Sequence, residues 1–315
     1  MVFVHTIQAV FSKKGVDFLQ NKAQLLGHLA GITVATIWGM TFIVSTIMLE
    51  HFTPYELMFM RTTLGMLILY LIYPKKMAKT SLKQEAFFAA AGATGITIFF
   101  AFENTAILHT STSNVSVIVA ISPLFAALLG WKIFKEARPS LFFFLGFLFA
   151  ISGIALISLS DVGLGPLGDF LAVLAALSWA IYSQITRKLT SFGHHIIQVT
   201  RRVFFYGVLF TIPFLFATNA QLSVNAVLEF PIFLYLLFLS VCASACGFLL
   251  FNFCLSKIGA TKATMYVYFI PLVTLIASVI LLSEHIRFIQ IVGIMLTLAG
   301  LVISSRKSPK QSDIE

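Results

Sequence analysis

The sequence predicts an all-α integral membrane protein, with ten transmembrane helices arranged as two inverted five-helix repeats. Three observations carry this expectation. The chain is 59% hydrophobic and only 10% charged over 315 residues, whereas soluble domains carry about 25% charge. Its apolar runs approach the roughly 20 residues that cross a bilayer as a helix. The chain also repeats itself. Asn104, Pro123 and Glu136 recur 148 residues later as Asn252, Pro271 and Glu284; Gly146 and Gly153 recur at 147 as Gly293 and Gly300; Trp38 and Arg61 recur at 141 as Trp179 and Arg202. One duplicated unit with small changes in loop length accounts for all seven pairs, and such repeats in a hydrophobic chain are a signature of transporters.

The elements follow in order. Residues 1–24 lack a basic region followed by an apolar stretch and a small-residue cleavage site, so a removable signal peptide is not expected. Phe3, Ile7, Val10 and Phe11 share one helical face, leaving a surface-lying helix or a disordered cytoplasmic segment as the two readings. The first repeat, 25–158, holds apolar runs at 25–48, 54–73, 86–106, 111–131 and 138–158. A short outer turn, 159–167, leads to the second repeat, 168–304, with runs at 168–187, 196–216, 230–252, 261–282 and 288–304. A cytoplasmic tail, 305–315, closes the chain. The runs are continuous rather than alternating, which favours helices over barrel strands, since backbone groups in hydrocarbon must be satisfied within the segment.

Charge orients the array. With the N-terminus inside, 19 of the 21 basic residues fall on inner segments, and only Arg61 and Arg287 lie on the outer side. Short cytoplasmic loops hold this excess in plasma-membrane proteins, so both termini are expected to be cytoplasmic. Five helices is an odd number, so the second repeat enters from the opposite face. The formal charge of +9 reads as orientation and contact with anionic lipid, and a nucleic-acid role would need a basic soluble domain.

Several motifs carry no chemistry. Gly163, Gly165 and Gly168 spell a literal GxGxxG, but the preceding run is a membrane span, Pro166 occupies the turn, and Asp161 and Asp169 place negative charge where a pyrophosphate would sit. The two aspartates belong to a turn, which gives poor support for an intramembrane aspartyl protease. No HExxH or GxSxG motif occurs. Cys242, Cys246 and Cys254 lie within one span and read as packing residues. No catalytic residue, metal or cofactor is expected.

The candidate working parts are few. Glu103 lies about 24 Å along helix 3 from the inner side of a core roughly 30 Å thick, and Arg61 lies roughly 10 Å from the outer surface, hence at the same depth. A charge there costs on the order of 3 kcal/mol or more, so both should face protein or a wet cavity. Two readings stand: proton coupling or substrate-amine binding by Glu103, or a structural ion pair with Arg61. Arg202 mirrors Arg61 and Arg201 adjoins it, yet the position matching Glu103 is Phe251. These arginines either draw a substrate carboxylate inward or snorkel to the interface. Asn104 and Asn252 either bind polar substrate groups or bridge helices. Trp38 and Trp179, with Thr41 and Tyr182 three residues on and so on the same faces, offer aromatic walls and hydroxyls near the midplane or else core packing. Pro123 and Pro271 free carbonyls and bend helices 4 and 9, with Tyr268 one turn earlier as a cavity candidate. Glu136 and Glu284 are expected to cap the helices after them. The stripes Gly146, Ala150, Gly153 and Gly293, Thr297, Gly300, Ser304 permit close helix approach within the monomer, or a homodimer contact through helices 5 and 10.

Taken together, Trp38-Gly39, the Pro123–Glu136 stretch, its echo Pro271–Glu284, and Trp179-Ala180 to Tyr182 resemble the drug/metabolite transporter superfamily and, within it, the EamA-type exporters, over residues 25–304. The resemblance implies ten helices, cytoplasmic termini, a central cavity lined by helices 1–4 and 6–9, and outward movement of amino acids or other small metabolites. The alternatives are a proton-coupled exporter of cationic drugs using Glu103 and, more remotely, a membrane-embedded enzyme or non-transporting sensor.

Overall fold

The computed structural model describes the backbone of residues 2–133, 138–160, 166–220 and 224–304, with side chains described except at 2–22, 158–160, 224, 255–256 and 259–265. Glu136, Asp161, Gly163, Gly165 and the tail 305–315 lie outside the described residues, as do the side chains of Phe3, Ile7, Val10 and Phe11. Among the described residues the chain is helical and contains no strand. Its membrane helices are α1 (Val2–Met48), α2 (Pro54–Ile72), α3 (Leu82–Ile107), α4 (Thr112–Lys132), α5 (Leu141–Ser160), α6 (Pro166–Thr190), α7 (Ile196–Ala217), α8 (Phe230–Cys254), α9 (ending in Ile270–Leu281) and α10 (Phe288–Ser304). Among the described residues seven are long and apolar enough to cross a bilayer, and α5, α9 and α10 supply the shorter apolar segments. The protein is a ten-helix membrane protein of two inverted five-helix repeats.

Local chemistry starts these helices. Thr53 caps α2 in a capping box with Glu56, Pro54 taking the first helical position. That Pro lacks only an N–H the first turn leaves unpaired anyway. Ser81 and Gln84 form the same device ahead of α3, which is why α3 begins four residues before its apolar run. At α10 the cap is Gln290, whose Oε1 accepts the Arg287 N–H at 2.8 Å. Glu284 therefore does not cap α10 as expected. Its carboxylate instead accepts from the Ser113 hydroxyl at the start of α4, at 2.7 Å. Asp169 likewise departs from the expected outer turn: it sits in the first turn of α6, buried, accepting the Thr110 hydroxyl at 2.8 Å.

Packing obeys the repeat. α1 packs on α8 and α9, as α6 packs on α3 and α4; α2 packs on α8, as α7 packs on α3. The pairs α2·α7, α4·α9 and α5·α10 meet their own counterparts across the pseudo-two-fold axis. Gly146 and Gly153 of α5 face Gly300 and Gly293 of α10 so closely that a Cβ on Gly146 or Gly153 would overlap the opposing carbonyl oxygen. These small-residue stripes are thus consumed within one chain, and a second copy would have to meet the outward faces, such as Leu148 and Phe149 or Met295 and Val302.

At both expected bends a two-residue turn interrupts the helix. α4 turns at Ala120 and Ile121, and α9 turns at Tyr268 and Phe269, with Pro123 and Pro271 in the first turn of the segment that follows. The α8–α9 junction differs from expectation, since Gly247–Val267 is helical throughout rather than two runs parted by a loop. A Cβ on Gly27 would meet Ile258, one on Gly31 would meet Tyr266, and one on Gly39 would meet Val273. Ile258, Tyr266 and Val273 thus all pack along α1. Two large apolar clusters form the core, and Trp38 and Val119 pack against both.

Candidate functional site

At Trp38 and Val119, where those clusters meet, lies a cavity of about 90 Å³, lined by residues of α1 to α4, α6, α8 and α9. Small-molecule sites begin near about 300 Å³, so this is a contracted chamber that must widen to admit a ligand. No lining residue comes from α7.

The lining is built from repeat equivalents. Trp38 faces Trp179, and Phe100, Glu103, Val119 and Ser122 of the first repeat have Phe248, Phe251, Val267 and Ile270 at the offset of 148. The cavity therefore sits on the pseudo-axis. Sequence reasoning singled out the tryptophans, Thr41, Arg61 and Glu103 and missed most of the rest. The repeat offset was the signal that would have found them.

Two irregular stretches shape the walls. Helix α3 is π-helical over Ala93–Ile98, and α8 is π-helical over Phe238–Cys246, near-equivalent positions in the two repeats. Such bulges shift backbone register and recur at functional sites. Each receives a bond from the helix packed against it: Trp38 Nε1 donates to the Ala243 carbonyl at 3.1 Å, and Ser178 Oγ donates to the Thr94 carbonyl at 2.7 Å. Trp38 also stands edge-on to Trp179, with ring centroids 6.1 Å apart, and lies 5.2 Å from Phe251. Trp38→Phe should remove the bond to Ala243 and loosen this aromatic cluster, lowering stability by about 1–2 kcal/mol; the thermal midpoint in detergent measures it.

Charge enters from one side. Arg61 and Glu103 are 3% and 6% exposed, and both line the cavity. The Arg61 guanidinium lies over Phe100, 4.2 Å from the ring centroid, and its Nε has no partner. Among the described residues no ion pair joins Arg61 to Glu103. The two side chains thus share one chamber without forming a contact ion pair.

Arg202 behaves otherwise. It does not line this cavity; it makes a two-point contact with Glu85, Nη2 to Oε1 at 2.8 Å and Nε to Oε2 at 3.1 Å, while the Tyr206 hydroxyl also donates to Glu85. The position equivalent to Glu85 is Phe233, and that equivalent to Glu103 is Phe251. Both carboxylates near the matched arginines therefore belong to the first repeat, and the second repeat has phenylalanine at each equivalent position. Arg201 is buried and donates to the Tyr73 and Lys75 carbonyls at 2.8 and 2.9 Å.

Of the remaining candidates only Thr41 lines the cavity; Asn104, Asn252, Tyr182 and Tyr268 lie outside its lining. Asn104 is fully buried and bridges to the Pro54 carbonyl at 3.2 Å. Asn252 bonds back to the Phe248 carbonyl of its own helix at 2.7 Å. Tyr182 packs on Gly95, Trp179 and Phe248, and Tyr268 occupies the α9 break, packed on one of the cores. The Thr41 hydroxyl donates to the Trp38 carbonyl at 2.5 Å while the residue lines the cavity. Pro123 and Pro271 act at one remove, because the breaks they follow turn Val119, Ala120, Ser122, Val267 and Ile270 towards the chamber. Among the described residues no cluster could hold a metal ion.

Comparison with known proteins agrees with this architecture. The EamA-like transporter family matches twice, over residues 25–159 and 166–306. An uncharacterized transporter of Archaeoglobus fulgidus is 28% identical over 297 residues, covering 89% of this chain and 97% of its own. The uncharacterized transporter YvbV of Bacillus subtilis is 25% identical, covering 87% and 90%. A probable terminal-alkyne amino-acid exporter of Streptantibioticus cattleyicolor is 25% identical over 70% of this chain and 73% of its own. A crystal structure at 15% identity superposes with a TM-score of 0.64, covering 90% of this chain and 96% of that one, and shows the fold alone.

Proposed function

Because the chain belongs to the EamA-like transporter family, we propose that this transporter exports amino acids or closely related zwitterionic metabolites across the plasma membrane. The observation that carries this reading is that Arg61 and Glu103 line one aromatic-walled cavity without a contact ion pair between them. Arg61 receives the substrate carboxylate through its guanidinium fork. Glu103 receives the substrate ammonium or, in its absence, a proton, and exchange between the two couples transport. The rings of Trp38, Trp179, Phe100 and Phe248 cover the substrate's carbon skeleton. A probable terminal-alkyne amino-acid exporter among the relatives supports the substrate class.

Alternating access follows from the architecture. Repeat halves rock about a midplane site, and broken helices line it, here α4 and α9. Both termini are cytoplasmic on this reading, in keeping with the distribution of basic residues. Nothing in the cavity calls for catalysis, and the chain works as a transporter rather than an enzyme.

Purified protein in liposomes should take up labelled amino acid, with competition by unlabelled amino acids and none by lipophilic cations. Competition by lipophilic cations alone would move the assignment to a cationic-drug exporter, in which Glu103 is the drug's counter-ion and Arg61 works against binding.

A further inference from the structure

The end of α2, the connection 73–81, the first turn of α3 and the start of α7 enclose a second cavity of about 430 Å³. Its lining includes Lys76, Lys79, Arg201 and Arg202, against the single acidic residue Glu85. Glu85 is committed to Arg202 by its two-point contact. Arg201 has no such partner. It is 5% exposed, held by the Tyr73 and Lys75 carbonyls, and lies 3.9 Å from the centroid of the Tyr70 ring. Carbonyl dipoles and a ring face orient a guanidinium without cancelling its charge, and a buried charge is costly until an anion neutralises it. Lys76 and Lys79 are exposed at the cavity rim. Beside them Leu71 and Leu82 are 81% and 91% exposed, at the ends of two membrane helices, where acyl chains meet head groups.

We propose that this cavity binds the head group of an anionic phospholipid. Its phosphate lies toward Arg201, Lys76 and Lys79 close over it, and its acyl chains run along Leu71 and Leu82. Arginine suits phosphate through its planar fork of donors, and basic pockets between membrane helices at the interface hold such head groups. Free inorganic phosphate shares the head-group chemistry but has no use for the apolar ledge. The site is separate from the central cavity and does not depend on the transported substrate.

The test is a thermal-shift titration of the full chain in neutral detergent with phosphatidylglycerol, phosphatidylcholine or inorganic phosphate, since a ligand of the native state raises the midpoint. Phosphatidylglycerol should raise it, while phosphatidylcholine and inorganic phosphate should not. In Lys76→Gln/Lys79→Gln, whose exposed side chains carry no fold, the half-saturating phosphatidylglycerol concentration should rise about thirtyfold. Lys257→Gln, an exposed lysine beside Phe253, should titrate as wild type. Equal response to the two lipids, no response to either, or an unchanged titration in the double variant would overturn the proposal. Stabilisation by inorganic phosphate that displaces the lipid would assign the cavity to the free anion instead.

Discussion

Glu103→Gln is expected to abolish transport driven by a pH gradient while leaving counterflow exchange intact, because exchange needs no net proton movement. The substitution keeps the side chain's shape and removes its charge, so the cavity wall stays the same. Its counterpart, Arg61→Gln, should weaken amino-acid binding about tenfold to hundredfold, the range for losing hydrogen bonds to a charged group. The competing account, in which the two charges only neutralise each other, has a different signature. Removing one member would then strand a buried charge and lower stability by about 3 to 5 kcal/mol, and adding Arg61→Gln to Glu103→Gln would restore it. Wild-type pH dependence together with wild-type stability in Glu103→Gln would eliminate both.

Gly153→Leu should destabilise the fold at the α5–α10 contact. A Cβ there would overlap the Gly293 carbonyl oxygen and the Thr297 hydroxyl, and the backbone atom cannot rotate aside as a side-chain tip would. Overfilling a packed site costs about 1–3 kcal/mol, and the upper end applies where backbone opposes backbone. Loss of the helix pair should show as a lowered thermal midpoint in detergent. Leu148→Ala, on the lipid-facing side of the same helix, is the control and should leave the midpoint within about 0.5 kcal/mol of wild type. A wild-type midpoint in Gly153→Leu would mean that α5 and α10 do not pack as closely as described.

Much of this was written in the linear chain. Continuous apolar runs report membrane spans because lipid admits no unsatisfied backbone, and recurrence of Trp, Pro and Gly at near-constant offsets reports two halves with one fold. Arg61 and Glu103 were legible because a charge inside a span must find a wet or polar surface wherever the neighbouring helices fall. The breaks after Val119 and Val267 were foreshadowed by the prolines that follow. The cavity lining on α3, α4, α8 and α9 was implicit in the offset of 148, although nothing in either half alone says which face of a span turns inward.

Tertiary structure decided what depends on geometry between helices. Arg202 mirrors Arg61 in sequence, yet Glu85 draws it to the end of the bundle, and that partner lies 117 residues away. Asn104 serves the Pro54 carbonyl, and Glu284 serves Ser113 of the other half rather than its own helix. The π-helical stretches arise where the backbone shifts register against a packed neighbour, which composition does not encode. Hydrophobicity and repetition are summed over many residues and survive without coordinates; a hydrogen bond or an ion pair turns on the placement of a single side chain within about 1 Å, and only the assembled helices supply that.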